Sequence, residues 1–538
     1  MRVPLGGRRV RGWVTSIETG TIEGLRPLLS RSGDAPIFDE RLLEVLRWAA
    51  AHYVAPLAGI LAKAGPPNLP RGGRHHRAAP PLPAPVAREM RLGSGPWDAA
   101  IAEEARPHLD AGGVVAVVVP SLREVEALAA GLGGSVGGVL RASSALPAKD
   151  VTRAWRDAGR PGRLIVGTRE IASWHLPLLS LAVVVEPGRR ALKARQTPTV
   201  HAWELMRRRA RVERFAMTTL GAVPSSEVLG AGVRVDAPPG RVWPLIEVVD
   251  RAEEGPGGGI ILERTRHAIR GVLSRGGAVF VHVPRRGYAP AFRCVQCGTL
   301  RRCAVCGAGP DRGETCRRCG APSGPCVACG SARFQAIGAA VGRVIDDLGR
   351  AFGGNVGAAG SGAPVTVGTE RDLPGAGTVD LAVAIDPDGM WLAPNFRAEE
   401  EALRILARVA GAVRHSRGRR CLIQTADPDH RVVLALRSGR GVDLMREIVG
   451  ERARAGLPPT GALIAIEVRG ERDTADGELR DAVLTDGDVF GPAEAGPGWR
   501  WLVQGDDLHR VRVRLRSAVQ TWRGRGWAVR VDADPLDL

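Results

Sequence analysis

Short apolar runs alternate with amphipathic stretches through the middle of this chain. The runs consist mainly of valine, leucine, isoleucine and alanine, and they occupy residues 114–119, 164–166, 181–185, 278–283, 365–367, 381–385 and 422–425. Stretches with helical periodicity lie between them, for example residues 122–132 and 399–413. Strands of a parallel sheet have this composition because helices cover both faces of the sheet. The pattern therefore predicts two tandem α/β units of similar size.

The two ends of the chain follow other patterns. Residues 3–16 predict two short strands around a Gly-Gly turn. A lone hairpin is marginally stable, so we expect either a packing partner elsewhere or missing sequence upstream. Residues 37–61 have helical periodicity with Asp39 as a candidate cap, and a proline-rich, basic linker follows. The tail predicts strands at residues 463–468, 501–503 and 527–531, and hence a small α+β domain.

The cysteines are the most specific chemical signal. Eight of the nine fall in one short stretch, as four C-x-x-C-G turns. The turns contain Cys294 and Cys297, Cys303 and Cys306, Cys316 and Cys319, and Cys326 and Cys329. Four thiolates surround a tetrahedral zinc ion, so eight predict two zinc ions per chain. Every ligand would be a protein sulfur, which leaves no position for a catalytic water, and we expect the zinc to be structural.

Other chemistries for these cysteines are less well supported. The chain shows no secretory signal, which disfavours disulfides, and a thioredoxin-type redox pair would need one turn instead of four. Iron–sulfur clusters also use four thiolates and are the remaining alternative. The spacing alone leaves three ways of pairing the four turns around two ions.

Charge adds a candidate partner. The formal net charge is +18 and the isoelectric point is about 10.8, which favours a polyanion such as nucleic acid. The competing explanation is a high-GC genome, because only Lys63, Lys149 and Lys193 among the 75 basic residues are lysine. No apolar run reaches the length of a membrane span, so we expect a soluble, cytoplasmic protein without a membrane partner.

Several motifs give the chain a resemblance to a known family. They are Arg285-Arg286-Gly-Tyr288 before the first cysteine turn, Asn395-Phe396-Arg397-Ala398 with Glu400, Gln424-Thr425 with Pro428 and His430, and Leu457-Pro458-Pro459. Residues 3–14 are similar to the last two strands of that family's N-terminal domain. With the two α/β units and the inserted cysteines, the chain resembles the PriA family of bacterial replication restart helicases over nearly its whole length.

The resemblance implies an α/β fold with two tandem RecA-like helicase-type lobes and an inserted eight-cysteine, two-zinc module. It implies a truncated N-terminal β domain, a winged-helix-like segment and a C-terminal α+β domain as further parts. The implied boundaries are 1–20 for the remnant of an N-terminal DNA-binding domain, 21–65 for the winged-helix-like segment, 66–92 for the linker, 93–250 for a degenerate first lobe, 251–450 for the second lobe with the zinc module at 292–332, and 451–538 for the C-terminal domain.

The resemblance also implies a nested pairing of the cysteine turns. One zinc would be held by Cys294, Cys297, Cys326 and Cys329. The other would be held by Cys303, Cys306, Cys316 and Cys319.

The ATP-handling motifs of such helicases are missing. A P-loop needs a lysine between Gly and Ser/Thr, and none of the three lysines stands in that context. The family's D-E-E-H is represented by Glu186-Pro187-Gly188-Arg189, whereas Gly167-Thr168-Arg169 keeps a turn that contacts the DNA backbone in such helicases. We therefore predict no catalytic and no nucleotide-binding residue. The pattern resembles the actinobacterial branch of the family, which lacks recognisable helicase motifs.

The leading functional prediction is a DNA-binding replication restart protein. It would bind arrested or branched forks containing single strands, join other primosome components and promote loading of the replicative helicase DnaB, without intrinsic helicase activity. Candidate phosphate contacts are Arg8, Arg9, Arg11, Arg169, Arg285 and Arg286. The alternatives are an active ATP-dependent 3′–5′ DNA helicase with a non-standard nucleotide site, and a zinc-ribbon scaffold without a specific DNA role.

Overall fold

The structure of the chain is a computed structural model. It describes residues 1–5, 8–17, 29–30, 33, 36–69, 89–238, 240–254, 259–284, 291–309, 315–316, 319–337, 340–416 and 418–536. The predicted phosphate contacts Arg285 and Arg286 lie outside these residues, as do most of the predicted linker and part of the predicted winged-helix segment. In the described part of the chain, no helix combines the length and apolar character needed to cross a membrane.

The N-terminal part contains a hairpin and two helices. Its elements are β1 (Arg2–Leu5), β2 (Arg8–Arg11), α1 (Glu40–His52) and α2 (Leu57–Leu61). The Leu42 amide donates to the Asp39 carboxylate over 2.8 Å, so the predicted cap is present. The helical periodicity of residues 37–61 corresponds to two helices, because Val54 adopts a φ of 47° and Pro56 then starts a new helix.

A parallel seven-stranded sheet forms the first α/β unit. Its elements are β3 (Glu89–Leu92), α3 (Asp98–Asp110), β4 (Val114–Val118), α4 (Leu122–Leu132), β5 (Leu140–Ala142), α5 (Ala148–Asp157), β6 (Arg163–Gly167), β7 (Leu179–Val185), α6 (Ala202–Glu213), β8 (Ala216–Gly221), α7 (Ser226–Gly230) and β9 (Arg234–Asp236). The strand order is β5-β6-β4-β7-β8-β3-β9. The central strands β4 and β7 are buried along their whole length, as their continuous apolar sequences predict.

A parallel six-stranded sheet forms the second α/β unit, in the order β10-β17-β16-β11-β15-β14. The elements of this part are β10 (Leu245–Asp250), α8 (Glu263–Leu273), β11 (Val279–His282), β12 (Ala291–Cys294), β13 (Phe334–Ile337), α9 (Val341–Phe352), β14 (Val356–Ala358), β15 (Val365–Gly368), β16 (Leu381–Ile385), α10 (Asp388–Trp391), α11 (Ala398–Gly411), β17 (Arg420–Thr425), α12 (Arg431–Ser438) and α13 (Gly441–Arg454). The strands β12 and β13 form a separate antiparallel pair.

The strand β10 corrects one expectation. The sequence places residues up to 250 in the first lobe and the cysteine segment after the first strand of the second unit. Instead, β10 pairs in parallel with β17, and the cysteine segment follows the second strand, β11. The edge position explains the error, because Leu245 is half-exposed and Glu247 interrupts the apolar run that marks a central strand.

The C-terminal part is an antiparallel sheet with two helices. Its elements are β18 (Ala462–Arg469), α14 (Arg472–Val483), β19 (Asp488–Ala495), β20 (Gly498–Gly505), α15 (His509–Gly524) and β21 (Ala528–Ala533). The strand order is β19-β20-β18-β21. The helices and the sheet share a core that contains Trp501 and Trp522, which gives the α+β character expected from the tail.

Candidate metal centre and the cleft between the parallel sheets

The fold gathers the eight clustered cysteines into two groups of four. In each group the sulfur atoms all lie within 4.8 Å of one another. The first group is Cys294, Cys297, Cys326 and Cys329, and the second is Cys303, Cys306, Cys316 and Cys319. This is the nested grouping that the family resemblance implies, and of the three groupings open from spacing it is the one that brings the sulfurs together.

The turns owe their shape to the trailing glycines. Gly298 has a φ of 78°, which L side chains rarely adopt, and its amide donates to the Cys294 carbonyl over 3.0 Å. The other three turns repeat this geometry, with their glycines at φ of 71° to 73°. The pair β12–β13 then brings the first and last turns together, because β12 ends at Cys294 and β13 begins shortly after Cys329.

The sulfur separations fit zinc. The distances are 3.5 Å for Cys294–Cys329, 3.6 Å for Cys297–Cys326, 3.6 Å for Cys303–Cys319 and 3.7 Å for Cys306–Cys316. Sulfurs at zinc's usual bond length of about 2.3 Å in a tetrahedron are about 3.8 Å apart, whereas a disulfide requires about 2.05 Å. Each group could therefore hold one metal ion with four thiolates and no open position.

Local hydrogen bonding favours the metal-binding thiolate form of Cys297. The Thr299 hydroxyl lies 3.2 Å from the sulfur of Cys297 and, with the Thr299 backbone, lowers the pKa of that thiol to about 6. The cysteine module is also tied to the second unit. Arg302 pairs with Asp427 at the end of β17, and the Gly309 amide donates to the Leu392 carbonyl over 3.1 Å.

A charged cleft lies where the two α/β units meet. It encloses a cavity of about 340 Å³ lined by residues of α4, the β7 end, the loop after β15, and α11. At its centre the Glu370 carboxylate lies 2.6 Å from Arg404 and 2.8 Å from Arg408, both on α11. From the first unit, Arg189 approaches Glu370 to 3.6 Å and also pairs with Glu124. Charges of opposite sign therefore bridge the two units across the cleft.

The pKa values follow from burial and these charges. Burial opposes ionisation of Glu370, but Arg404, Arg408 and Arg189 outweigh it and hold its pKa well below the usual range. Glu186 lies in the same cleft, where burial raises its pKa despite the nearby arginines. Its carboxylate accepts the Ala222 amide over 3.2 Å. The carboxylate that stands at the family's D-E-E-H position is thus held by the backbone of its own unit.

One strand-to-helix turn that lines the cleft, from β4 into α4, lacks the glycines of a phosphate-binding loop. In a P-loop, glycines let backbone amides surround phosphates at the helix start. Here the turn is Val119-Pro120-Ser121, and Ser121 accepts the Glu124 amide over 3.4 Å as a helix cap. The Ser121 hydroxyl in turn donates to the Glu124 carboxylate over 2.6 Å. A capped helix start with an adjacent carboxylate disfavours a bound phosphate.

A second bridge joins the units through the Asn395–Glu400 motif. The Glu400 carboxylate accepts the amide of Ser226 on α7 over 3.0 Å and pairs with Arg452 of α13 over 2.7 Å. Arg397 pairs with Glu227, also on α7. All of these charged groups are nearly inaccessible to solvent. Residues that first stand out as a family motif therefore connect the two units.

The other motif residues hold the second unit together. The Gln424 side chain accepts the amide of Leu262 at the start of α8 over 2.9 Å, and the Thr425 hydroxyl donates to buried Asp388 over 2.7 Å. His430 stacks on Trp391 with ring centroids 4.6 Å apart. These contacts are structural, and none of them involves an exposed functional group.

The predicted phosphate contacts are placed unevenly. Arg11 is exposed at the end of the hairpin, while the side chains of Arg8 and Arg9 lie outside what the structure describes. The Arg169 side chain is 39% exposed and lies beside Glu170, and its guanidinium donates to the Ala191 carbonyl over 3.3 Å.

The cleft residues Glu124, Glu370, Arg404 and Arg408 were missed by the sequence analysis. Charged residues are frequent on exposed helix faces, so single positions carry no distinguishing mark. Two of the four, Glu124 and Glu370, do share a signal, because each follows closely after a predicted parallel strand.

Comparisons with known proteins agree with the sequence motifs. Residues 1–66 match the family profile described as "3'DNA-binding domain (3'BD)", and residues 453–536 match "Primosomal protein N C-terminal domain". "Probable replication restart protein PriA" of Deinococcus radiodurans is 29% identical over 507 residues, which are 81% of this chain and 53% of that protein. The protein of the same description from Mycobacterium tuberculosis is 27% identical over 574 residues, covering 93% of this chain and 87% of that one.

The chain is similar to the PriA family at both of its ends and over most of its length. Its match spans about half the length of the Deinococcus relative and most of the mycobacterial one. Among solved structures, "Structure of RecG bound to three-way DNA junction" aligns with 68% of this chain and 44% of that one, at 12% identity and a TM-score of 0.40.

The zinc pairing gives a first prediction. Changing Cys303 and Cys306 together to Ser removes two ligands of one group, so bound zinc should fall from two ions per chain to one. Elemental analysis of the purified protein measures this. Cys421, buried in β17 far from either group in sequence, is the control, and Cys421→Ala should keep two ions. Two ions in the double variant, or iron in place of zinc, would contradict the assignment.

The cleft gives a second prediction. Glu370→Gln leaves three arginines without their shared counter-charge, and loss of one buried partner costs about 3–5 kcal/mol. Hydrogen exchange of the α11 amides should report a local opening free energy that is lower by that order. The control is Asp443→Asn, which removes an exposed pair with Arg440 and should change exchange by less than about 1 kcal/mol.

The same carboxylate sets the pH dependence. Because its folded-state pKa is depressed, its contribution is present above the unfolded value of about 4.3 and is lost as pH falls below it. The α11 protection of the unaltered chain should therefore approach that of Glu370→Gln in acid. Equal protection of the two proteins at neutral pH would show that the bridge contributes nothing.

Proposed function

We propose that this chain binds arrested replication forks and promotes loading of the replicative helicase DnaB, and that it does so without nucleotide-driven unwinding. Similarity to the PriA family supports the role in replication restart and the binding of DNA. The absence of motor activity is the more specific part of the proposal, and it rests on the ion pairs in the cleft between the two α/β units.

The observation that carries the proposal is the group of ion pairs around Glu370. A helicase motor needs a cleft that opens and closes as nucleotide phosphates enter and leave. In this cleft, Arg189 and Arg408 are paired with Glu124 and Glu370 instead of being free for phosphates. The start of α4, which lines this cleft, is capped by Ser121 instead of being open to a phosphate. The two units are therefore proposed to act as one fixed frame.

The two cysteine groups are proposed to hold zinc, one ion each. The zinc ions would fix the long segment between β12 and β13, in whose described residues no strand or helix occurs. Their closed four-sulfur sites give them no role in chemistry. The frame and the zinc module would together hold DNA and protein partners in a set geometry.

DNA contacts are proposed to be electrostatic and independent of sequence. The net charge of +18 supports this, as does the match of residues 1–66 to a DNA-binding domain. The proposed contacts are Arg8, Arg9, Arg11, Arg169, Arg285 and Arg286. Arginines that contact phosphates position a duplex or strand, and the junction shape would then provide the preference for forks.

A fork-binding experiment tests the proposal. Fluorescence anisotropy of the zinc-loaded protein should show tighter binding to a model fork than to a plain duplex or a single strand at physiological salt. We expect this preference because a fork presents duplex and single-stranded DNA together to one rigid frame. Equal binding to all three that disappears near physiological salt would contradict the proposal, since generic charge would then account for the interaction.

A further inference from the structure

A groove separate from the interunit cleft lies between the N-terminal helices and the first α/β unit. It has a volume of about 450 Å³, within the range of ligand sites. One wall is formed by α2 and the residues after it, and the other by α5, the turn after β6 and the start of α6. The groove thus opens beyond the carboxyl ends of β5 and β6, where open α/β sheets usually bind ligands.

The interior of the groove is apolar. Ile60, Val151, Trp174 and Leu205 line it, and all four are more than nine-tenths buried. Trp174 follows the Gly167-Thr168-Arg169 turn, so the turn that resembles a DNA contact leads directly into the groove. Such a surface suits a flat, weakly polar group such as a nucleobase.

The mouth of the groove carries two cations. Lys63 and Arg169 both line it. The two side chains lie close enough to interact, and the Arg169 charge adds to the effect of burial in lowering the Lys63 pKa. In the described residues no carboxylate lies within 4 Å of the Lys63 ammonium. The nearby Glu170 carboxylate lies 3.7 Å from the Arg169 guanidinium and also accepts hydroxyl groups of Ser144 and Thr168. Two neighbouring cations beside a single carboxylate leave a net positive charge at the mouth, which favours an anion between them.

We propose that this groove takes one unpaired nucleotide of a DNA strand, with its base in the apolar interior and its phosphate between Lys63 and Arg169. This inference rests on the proposed DNA binding and specifies a place for it. The chain's own segment 70–88 is a poor occupant, because it carries arginines and histidines but no Asp or Glu. It would add positive charge to the mouth of the groove.

Two substitutions test the two halves of the site. Lys63→Glu should weaken binding to a fork with a single-stranded arm by about tenfold and reduce the salt dependence by about one phosphate contact. Ala148→Trp adds a ring from an exposed position on the groove wall, and it should weaken the same binding by about tenfold without changing the salt dependence. Binding to plain duplex should change by less than about twofold in both variants.

The matched control is Lys149→Glu. It makes the same charge change as Lys63→Glu, at an exposed residue that follows Ala148 in the chain and does not line the groove. It should bind both DNAs nearly as the unaltered chain does. A fork whose arm contains 2-aminopurine adds an independent readout, because its fluorescence should change on binding to the unaltered chain and not to Ala148→Trp. Circular dichroism and zinc content confirm that each variant is folded.

The outcomes separate this inference from the proposed function. If the unaltered chain binds no DNA at physiological salt, the proposed function fails. If it prefers forks but Lys63→Glu and Ala148→Trp match Lys149→Glu, the groove inference fails alone. If the two substitutions weakened binding to plain duplex as much as binding to the fork, the groove inference would also be overturned. If the 2-aminopurine fluorescence did not change when the unaltered chain binds, the placement of the base would be overturned. An Ala148→Trp protein that does not fold leaves Lys63→Glu and the fluorescence signal as the deciding results.

Discussion

The buried charges around Glu370 determine how the two halves of this chain relate to each other. One carboxylate from the second α/β unit is surrounded by Arg404, Arg408 and, from the first unit, Arg189. Ions removed from water must be paired closely or the fold becomes less stable, so these ion pairs favour the arrangement of the two units seen here. The Glu400 bridge to Ser226 and Arg452 repeats this arrangement at a second place.

The proposed fixed frame would give the family motifs a structural role. In a motor, charged groups in such a cleft follow the nucleotide through its cycle. Here Arg397 and Glu400 have buried partners on the opposite unit, and Ser121 caps the start of α4 at the cleft. The cysteine module is anchored to the second unit through Arg302, and the C-terminal part is anchored through Lys193, whose ammonium lies 2.7 Å from Asp532. The contacts favour a scaffold whose parts hold their places.

The sequence predicted those parts of the fold whose signal is local. Strands β4, β7 and β16 are buried on both faces, so their apolar runs mark them clearly, and the glycine-ended cysteine turns specify their own shape. The edge strand β10 carries no such run, and the helix break at Val54 depends on backbone geometry that periodicity does not express. The ion pairs of the cleft join residues far apart in the chain, such as Glu124 and Arg408, which are 284 positions apart, and no local pattern reports such a pairing.

The most direct test of this account is the rate of ATP hydrolysis by the homogeneous, zinc-loaded protein, with and without fork DNA. The account predicts no hydrolysis above background in either case, because the charges of the cleft are already paired with one another. Fork-stimulated hydrolysis that follows the protein through gel filtration and is lost in Arg408→Ala would contradict it. Such a result would show that the cleft opens to nucleotide and that the chain is a motor.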